Sequence, residues 1–197
     1  MSAPATALTP TDPRRFTAKR AFFSFLGPEF RFFSPEGNLL WFVKQKAFKL
    51  KEEITVFADE GRTQPALTIK ARSVLDVRGV YDITDVRTGE RVGSCKRQGL
   101  ASLVRDTWEV RGPDDAVVAT LTEDSLALAL VRRFLLKAWL PQTFTLTSPD
   151  GRSFGGLKQR FNPFQLVYDA DFAEGGLDAR LGLAATVLLL AIEGRQG

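Results

Sequence analysis

From residue 29 onward, short segments rich in Val, Ile, Thr, Phe and Trp alternate with clusters of Pro, Gly, Asn and Asp. β-Branched and aromatic residues favour strands, whereas clusters such as Pro-Glu-Gly-Asn at 35–38 are turn signals. Many short strands with recurrent turns are typical of an all-β sandwich or barrel. The pattern predicts eleven strands, with residues 22–26 as a candidate twelfth: 30–34, 39–48, 54–58, 66–71, 77–84, 90–97, 107–111, 117–122, 143–148, 152–161 and 164–170.

Residues 181–192 form the longest uncharged apolar run near the end of the chain. The run is apolar on every side, so a helix here must be buried on all faces. Twelve residues rise about 18 Å, which is too short for a hydrocarbon core of about 30 Å. Asp178 is a candidate N-cap and Gly194 a candidate C-terminal glycine. Because a wide barrel can hold a central helix, we expect this helix to fill the barrel.

Residues 126–140 are the other helix candidate, with twelve apolar, three basic and no acidic residues. Trp139 shares one helical face with leucine and valine side chains, while Arg133 and Lys137 lie opposite. One hypothesis is a helix lying in the membrane interface, with Arg133, Lys137 and Trp139 as its contacts. The alternative is a helix that caps one mouth of the barrel.

A lysine-led phrase recurs along the predicted strands. It begins at Lys44, Lys70 and Lys96, which are 26 residues apart, and returns at Lys158. A fixed period indicates repeated hairpins whose basic ends lie in similar places. These cations would solvate strand ends and blunt edges, or they would form part of a binding surface.

A length of 197 residues suits one domain. The formal net charge of +4 does not indicate a nucleic-acid partner. We expect a flexible tail over 1–20 and one barrel domain over 21–197. The absence of histidine excludes Ser–His, Cys–His and histidine-ligated metal chemistry. The single thiol, Cys95, suits a reducing compartment and is expected to be buried. Gly-Arg-Ser-Phe-Gly at 151–155 matches a nucleophile motif, but Ser153 follows a hairpin turn and has no histidine base.

A series of short motifs runs through residues 44–124 and returns at the end of the chain: KLKE at 49–52, LTIKARSVLD at 67–76, YDI at 81–83, TGERVG at 88–93, RDTWEV at 105–110 and AIEGR at 191–195. In these motifs and their order, the chain resembles the LURP-one-related family of the tubby and phospholipid-scramblase superfamily. The resemblance implies a closed barrel of about twelve strands around a buried C-terminal helix.

Two further features follow from the resemblance. Asp169, Asp171 and Asp178 are similar to an acidic segment that scramblases carry before their last helix, where it is proposed to bind calcium. Few oxygen ligands lie between them, so we expect no metal site, although their role with calcium stays open. Tubby domains bind phosphoinositides through a Lys-x-Arg pair. Two such pairs are candidate lipid head-group sites here: Lys70 with Arg72, and Lys158 with Arg160.

The sequence therefore predicts an all-β barrel with a central helix, without catalytic residues or a cofactor. The leading hypothesis is a cytoplasmic protein that binds anionic lipid head groups or membrane surfaces peripherally. The alternative is a protein-interaction or regulatory module with no lipid role. Scramblase activity is not expected, because the last helix is too short to span a bilayer.

Overall fold

The computed structural model describes residues 14–21, 27–45, 53–73, 79–98, 107–124 and 141–193. These residues form twelve antiparallel strands and one helix, α1 (Ala179–Glu193). Each strand pairs with the next along the chain, and β12 pairs with β1, so the sheet closes into a barrel. The strands are β1 (Arg15–Ala21), β2 (Glu29–Phe33), β3 (Leu39–Lys44), β4 (Ile54–Phe57), β5 (Pro65–Ala71), β6 (Val80–Asp85), β7 (Arg91–Arg97), β8 (Thr107–Arg111), β9 (Val117–Glu123), β10 (Thr143–Thr147), β11 (Ser153–Arg160) and β12 (Gln165–Phe172).

The alternation of side chains along the strands separates the barrel interior from its outer face. In β6, Tyr81, Ile83 and Asp85 are buried while the residues between them are partly exposed. Successive side chains of a strand point to opposite faces, so alternate residues fill the interior and the residues between them face water. This arrangement confirms the predicted barrel, and β2–β12 coincide with the eleven predicted strands.

The helix α1 occupies the interior, as the sequence predicts. Every residue from 181 to 191 is buried, on all faces of the helix. Asp178 caps the helix, since its Oδ1 accepts a hydrogen bond from the Arg180 N–H at 2.9 Å. Within the described residues, no helix has the length and hydrophobicity required to cross a membrane.

The first strand begins earlier than the boundary expected from the sequence. Arg15–Ala21 pairs with both β12 and β2, although residues 1–20 were expected to be a tail. Phe16, Ala18 and Arg20 are its buried positions. Without this strand, β2 and β12 would present open edges, which proteins avoid. The candidate twelfth strand at 22–26 lies outside the described residues.

The two ends of the barrel differ in their connections. Odd-numbered strands run in one direction, so their last residues and the first residues of even-numbered strands meet at one end, the loop rim. The other end, the turn rim, consists of the tight turns at 34–38, 58–64, 86–90, 112–116 and 148–152, with 173–178 leading into α1. The helix starts at the turn rim and ends at the loop rim.

Candidate functional site

Acidic residues dominate the turn rim. Its six connections contain nine acidic side chains and three arginines. The acidic residues are Glu36, Asp59, Glu60, Glu90, Asp114, Asp115, Asp150, Glu174 and Asp178, and the arginines are Arg62, Arg87 and Arg152.

Basic residues dominate the opposite end. The last three residues of the six odd-numbered strands include eight cations and one acid, Glu123. The first three residues of the even-numbered strands add Arg31 and three acids, Glu29, Asp82 and Glu109. The four repeated lysines all lie here, which confirms that the repeat places basic strand ends in similar positions. The eight cations are Lys19, Arg20, Lys44, Lys70, Lys96, Arg97, Lys158 and Arg160.

The lysines of the loop rim differ in how firmly they are held. Lys19 lies over the ring of Phe33, with its Nζ 4.8 Å from the ring centroid. Lys158 is exposed and has no salt-bridge partner among the residues that the structure describes. The paired lysines contact acids on neighbouring chain segments: Lys44 with Glu29 at 3.1 Å, Lys96 with Glu109 at 3.8 Å and Lys70 with Glu53 at 4.0 Å. The first two pairs are half-buried, whereas the Lys70–Glu53 pair is exposed. Exposed pairs are worth about 1 kcal/mol or less, so Lys70 can exchange Glu53 for another anion.

In the first predicted head-group pair, the two cations have different surroundings. Lys70 is well exposed, with 71% of its side chain accessible. Arg72 instead binds Asp82 through Nε at 2.9 Å and through Nη2 at 2.6 Å, and Nη2 also lies 2.9 Å from Asp115. Hydrogen bonds that Arg72 donates to Asp82 and Asp115 raise its pKa above the ordinary value. The guanidinium is therefore already bound to two carboxylates.

The second predicted pair repeats this arrangement. Arg160 binds Asp169 through Nε at 2.8 Å and through Nη2 at 2.9 Å. Thr17 on β1 also donates to Asp169, at 2.8 Å. Lys158 lies opposite Asp169 in the strand register, and its ammonium faces solvent. In each pair the arginine is bound to carboxylates, whereas the lysine is exposed to solvent.

The two predicted pairs do not come together. Lys70 is on β5 and Lys158 is on β11. In the closed barrel, five strands separate β5 from β11 in either direction. The pairs therefore face opposite sides of the molecule, and one head group cannot bind both. A surface large enough to contact both sides of the rim can bind both pairs.

The three aspartates of the acidic segment each contact an arginine. Asp169 and Asp171 share the outer face of β12, while Asp178 caps α1. Among the described residues, no group of three or more acidic or cysteine side chains is arranged to hold a metal ion. The pairs are Asp169 with Arg160 at 2.8 Å, Asp171 with Arg15 at 3.1 Å and Asp178 with Arg180 at 2.7 Å.

The nucleophile-like motif at 151–155 has a structural explanation. Ser153 begins β11, and its Oγ accepts a hydrogen bond from the Gly155 N–H at 3.3 Å. Gly155 has a φ of 92°, and a Cβ there would lie 2.0 Å from the carbonyl oxygen of Asp171. The glycine is thus required for close strand pairing.

Cys95 is buried as expected, and burial raises the pKa of its thiol to about 12, so it is not a nucleophile at neutral pH.

Sequence reasoning missed two exposed phenylalanines at the loop rim. Phe161 and Phe164 are 53% and 75% exposed, on the turn between β11 and β12. Their exposure was not predicted because both lie at the ends of predicted strands, where phenylalanines are usually buried. The available signal was Asn-Pro at 162–163, which marks a turn and leaves both aromatic neighbours at its edge.

The other predicted membrane contacts, Arg133, Lys137 and Trp139, lie outside the described residues. They stay predictions, as does the choice between an interfacial helix and a cap over the barrel mouth.

The chain is similar to a known protein family and to a solved structure. The family model described as LURP-one-related matches residues 39–189. No curated protein matches the sequence significantly. A protein from Arabidopsis thaliana, solved by X-ray crystallography, is similar over 94% of this chain and 98% of its own, with 12% identity and a TM-score of 0.49.

Proposed function

This chain belongs to the LURP-one-related family, and from that premise we propose that it is a non-enzymatic protein that binds anionic membrane surfaces through its loop rim. The proposed site of action is the cytoplasm, at the membrane periphery. A single buried thiol suits a reducing compartment.

The segregation of charge between the two rims is the observation that carries this proposal. The strand ends at the loop rim hold nine cations, of which Arg20 is buried, and four acids, whereas the turns at the opposite rim hold nine acids and three arginines. A net charge of +4 alone would give only weak attraction. Two ion pairs link the rims, Arg31 with Glu60 at 2.7 Å and Arg72 with Asp115 at 2.9 Å. The remaining imbalance of sign between the rims gives that small excess a direction. The loop rim would face a negative surface and the turn rim would face away.

The condition of the lysines supports a broad surface rather than one deep head-group pocket. Lys70 and Lys158 project on opposite sides of the rim, and their neighbours Arg72 and Arg160 are held by carboxylates. A bilayer offers many phosphates and carboxylates at once, so separated lysines can all contribute. Each cation near an anionic surface contributes about 1 kcal/mol, which is lost as salt screens the charge.

Vesicle co-sedimentation tests the proposal. The protein should bind vesicles of phosphatidylcholine mixed with phosphatidylserine, and it should not bind phosphatidylcholine alone. Binding should weaken steeply as salt rises. Equal recovery with both vesicles, or none with either at low salt, would contradict the proposal and would favour the protein-interaction alternative.

Charge reversal at the two rims supplies a matched comparison. The double variant Lys70→Glu with Lys158→Glu removes two cations from the loop rim. The control, Arg62→Glu with Arg87→Glu, makes the same change in net charge at exposed positions of the turn rim. The first should lower the partition coefficient by more than about 20-fold, from roughly fivefold per lysine. The turn-rim variant should lower the partition coefficient far less. If both variants weaken binding equally, only net charge matters and the loop rim is not the binding surface.

A further inference from the structure

We propose that the turn formed by Phe161, Asn162, Pro163 and Phe164, the FNPF turn, is an aromatic anchor that inserts into the boundary between head groups and acyl chains of an anionic bilayer. This inference rests on the proposed function and identifies which part of the loop rim enters the membrane.

The exposure of the FNPF turn is unusual for this barrel. Phe164 is 75% exposed and Phe161 is 53% exposed. The other exposed large apolar side chains among the described residues are Val86 and Val117, each at 38%. Phe161 and Phe164 flank the same two-residue turn, and exposed apolar side chains that lie close together mark interaction sites more often than isolated ones do.

The turn is held in its exposed conformation by its own hydrogen bonds. The Asn162 Oδ1 accepts from the Phe164 N–H at 2.9 Å and from the Gln165 N–H at 3.0 Å. Asparagine stabilises turns in this way, and Pro163 fixes one backbone dihedral beside it. Insertion would therefore require little ordering of the chain, which favours binding by a preorganised tip.

Charge around the turn selects an anionic bilayer as the occupant. The turn has no acidic residue, and Lys158 precedes it on the exposed face of β11. The charge of Arg160 is balanced by Asp169, so Lys158 gives this hairpin its positive excess. Lys19 on the adjoining strand β1 lies opposite Val167, close to the start of β12. A projecting tip with apolar rings and basic flanks suits a deformable, negatively charged interface.

Alanine substitution of the two rings is the direct experiment. The variant Phe161→Ala with Phe164→Ala should reduce partitioning into phosphatidylcholine–phosphatidylserine vesicles by about tenfold or more. The reduction should be the same factor at low and high salt, because apolar transfer is not screened. The control, Val86→Ala with Val117→Ala, removes exposed apolar surface elsewhere and should leave partitioning unchanged. Thermal melting should confirm that both variants fold.

A tryptophan at the tip reports its depth. Phe164→Trp should bind like the wild type, and brominated lipids should quench additional fluorescence relative to the wild-type protein. Absence of this additional quenching on bound vesicles would overturn the anchor.

The outcomes separate the anchor from the proposed function. A wild-type protein that binds neither vesicle contradicts both. If the wild type binds anionic vesicles and the double alanine variant binds equally well, the anchor is overturned while the proposed function stands. If sedimentation without lipid shows a wild-type dimer that the alanine variant abolishes, the turn is a contact between copies and the anchor is overturned.

Discussion

Arg20 on β1 donates a hydrogen bond from Nη1 to the carbonyl oxygen of Leu190 in α1, at 3.3 Å. Leu190 is among the last four residues of the helix, whose carbonyls have no partner within the helix. The cation also lies at the negative end of the helix dipole. Burial lowers the pKa of Arg20, yet the guanidinium remains a donor at neutral pH. The first strand of the barrel thus completes the C-terminal end of its central helix.

Replacement of Arg20 by alanine should reduce the free energy of unfolding by about 2 kcal/mol, since a buried carbonyl loses its donor. Urea denaturation measures this change. Arg15→Ala is the control on the same strand, because the Arg15–Asp171 pair is exposed and should cost less than about 0.5 kcal/mol. Equal effects of the two substitutions would show that the contact with α1 does not stabilise the fold.

The central helix should respond strongly to loss of a single side chain. Leu188 is fully buried in α1, so Leu188→Ala should lower the free energy of unfolding by about 3 kcal/mol through lost burial and a residual cavity. Val117→Ala, at a 38% exposed position, should change it by less than about 1 kcal/mol. A small effect at Leu188, measured by urea or thermal denaturation, would contradict a helix packed inside the barrel.

Gly93 on β7 lies against both the neighbouring strand β8 and the central helix. Its φ is +155°, and a Cβ would lie 2.1 Å from the carbonyl oxygen of Arg111 and 3.1 Å from Cδ2 of Leu181. Gly93→Ala should therefore cost about 3 kcal/mol or more, because the β7 and β8 backbones must separate. Gly89→Ala is matched in having a positive φ but has open space around it, so it should cost only about 1 kcal/mol. Similar melting temperatures for the two variants would remove the steric explanation.

Strand alternation and the all-apolar helix made the architecture predictable, since each signal repeats over many residues. Residues 181–192 are uncharged on all sides and therefore required an enclosing sheet. The start of β1 was harder to predict, because Arg15, Lys19 and Arg20 look like a solvated tail until the strands on either side are known. The exposed rings of the FNPF turn and the partners of Arg72 and Arg160 depend on tertiary geometry, which local sequence patterns do not specify.

Acid should destabilise the protein through its arginine-bound carboxylates. Arg72 and Arg91 hold the pKa of both Asp82 and Asp115 below its ordinary value. Carboxylates with depressed pKa values stabilise the fold above their unfolded pKa, near 4, and lose this contribution as pH falls through the folded pKa. The free energy of unfolding should therefore be nearly constant from about pH 8 to 5 and should fall below about pH 4.

Asp82→Asn tests this assignment. The variant should be less stable at neutral pH, and its stability should decline less steeply in acid, as measured by urea denaturation at a series of pH values. Glu174→Gln, at an exposed position of the turn rim, is the control and should leave the acid slope unchanged. An unaltered acid slope in Asp82→Asn would assign the effect to other carboxylates.

The depth of spin labels on opposite rims tests most directly whether the loop rim faces the membrane. Pro163→Cys places a label in the FNPF turn and Pro35→Cys places one in the β2–β3 turn, both at exposed prolines, while buried Cys95 should remain unlabelled. On phosphatidylcholine–phosphatidylserine vesicles, the label at 163 should enter the bilayer by about 5–10 Å and the label at 35 should stay in water. Immersion of the label at 35, or no immersion of either label on bound protein, would contradict the account.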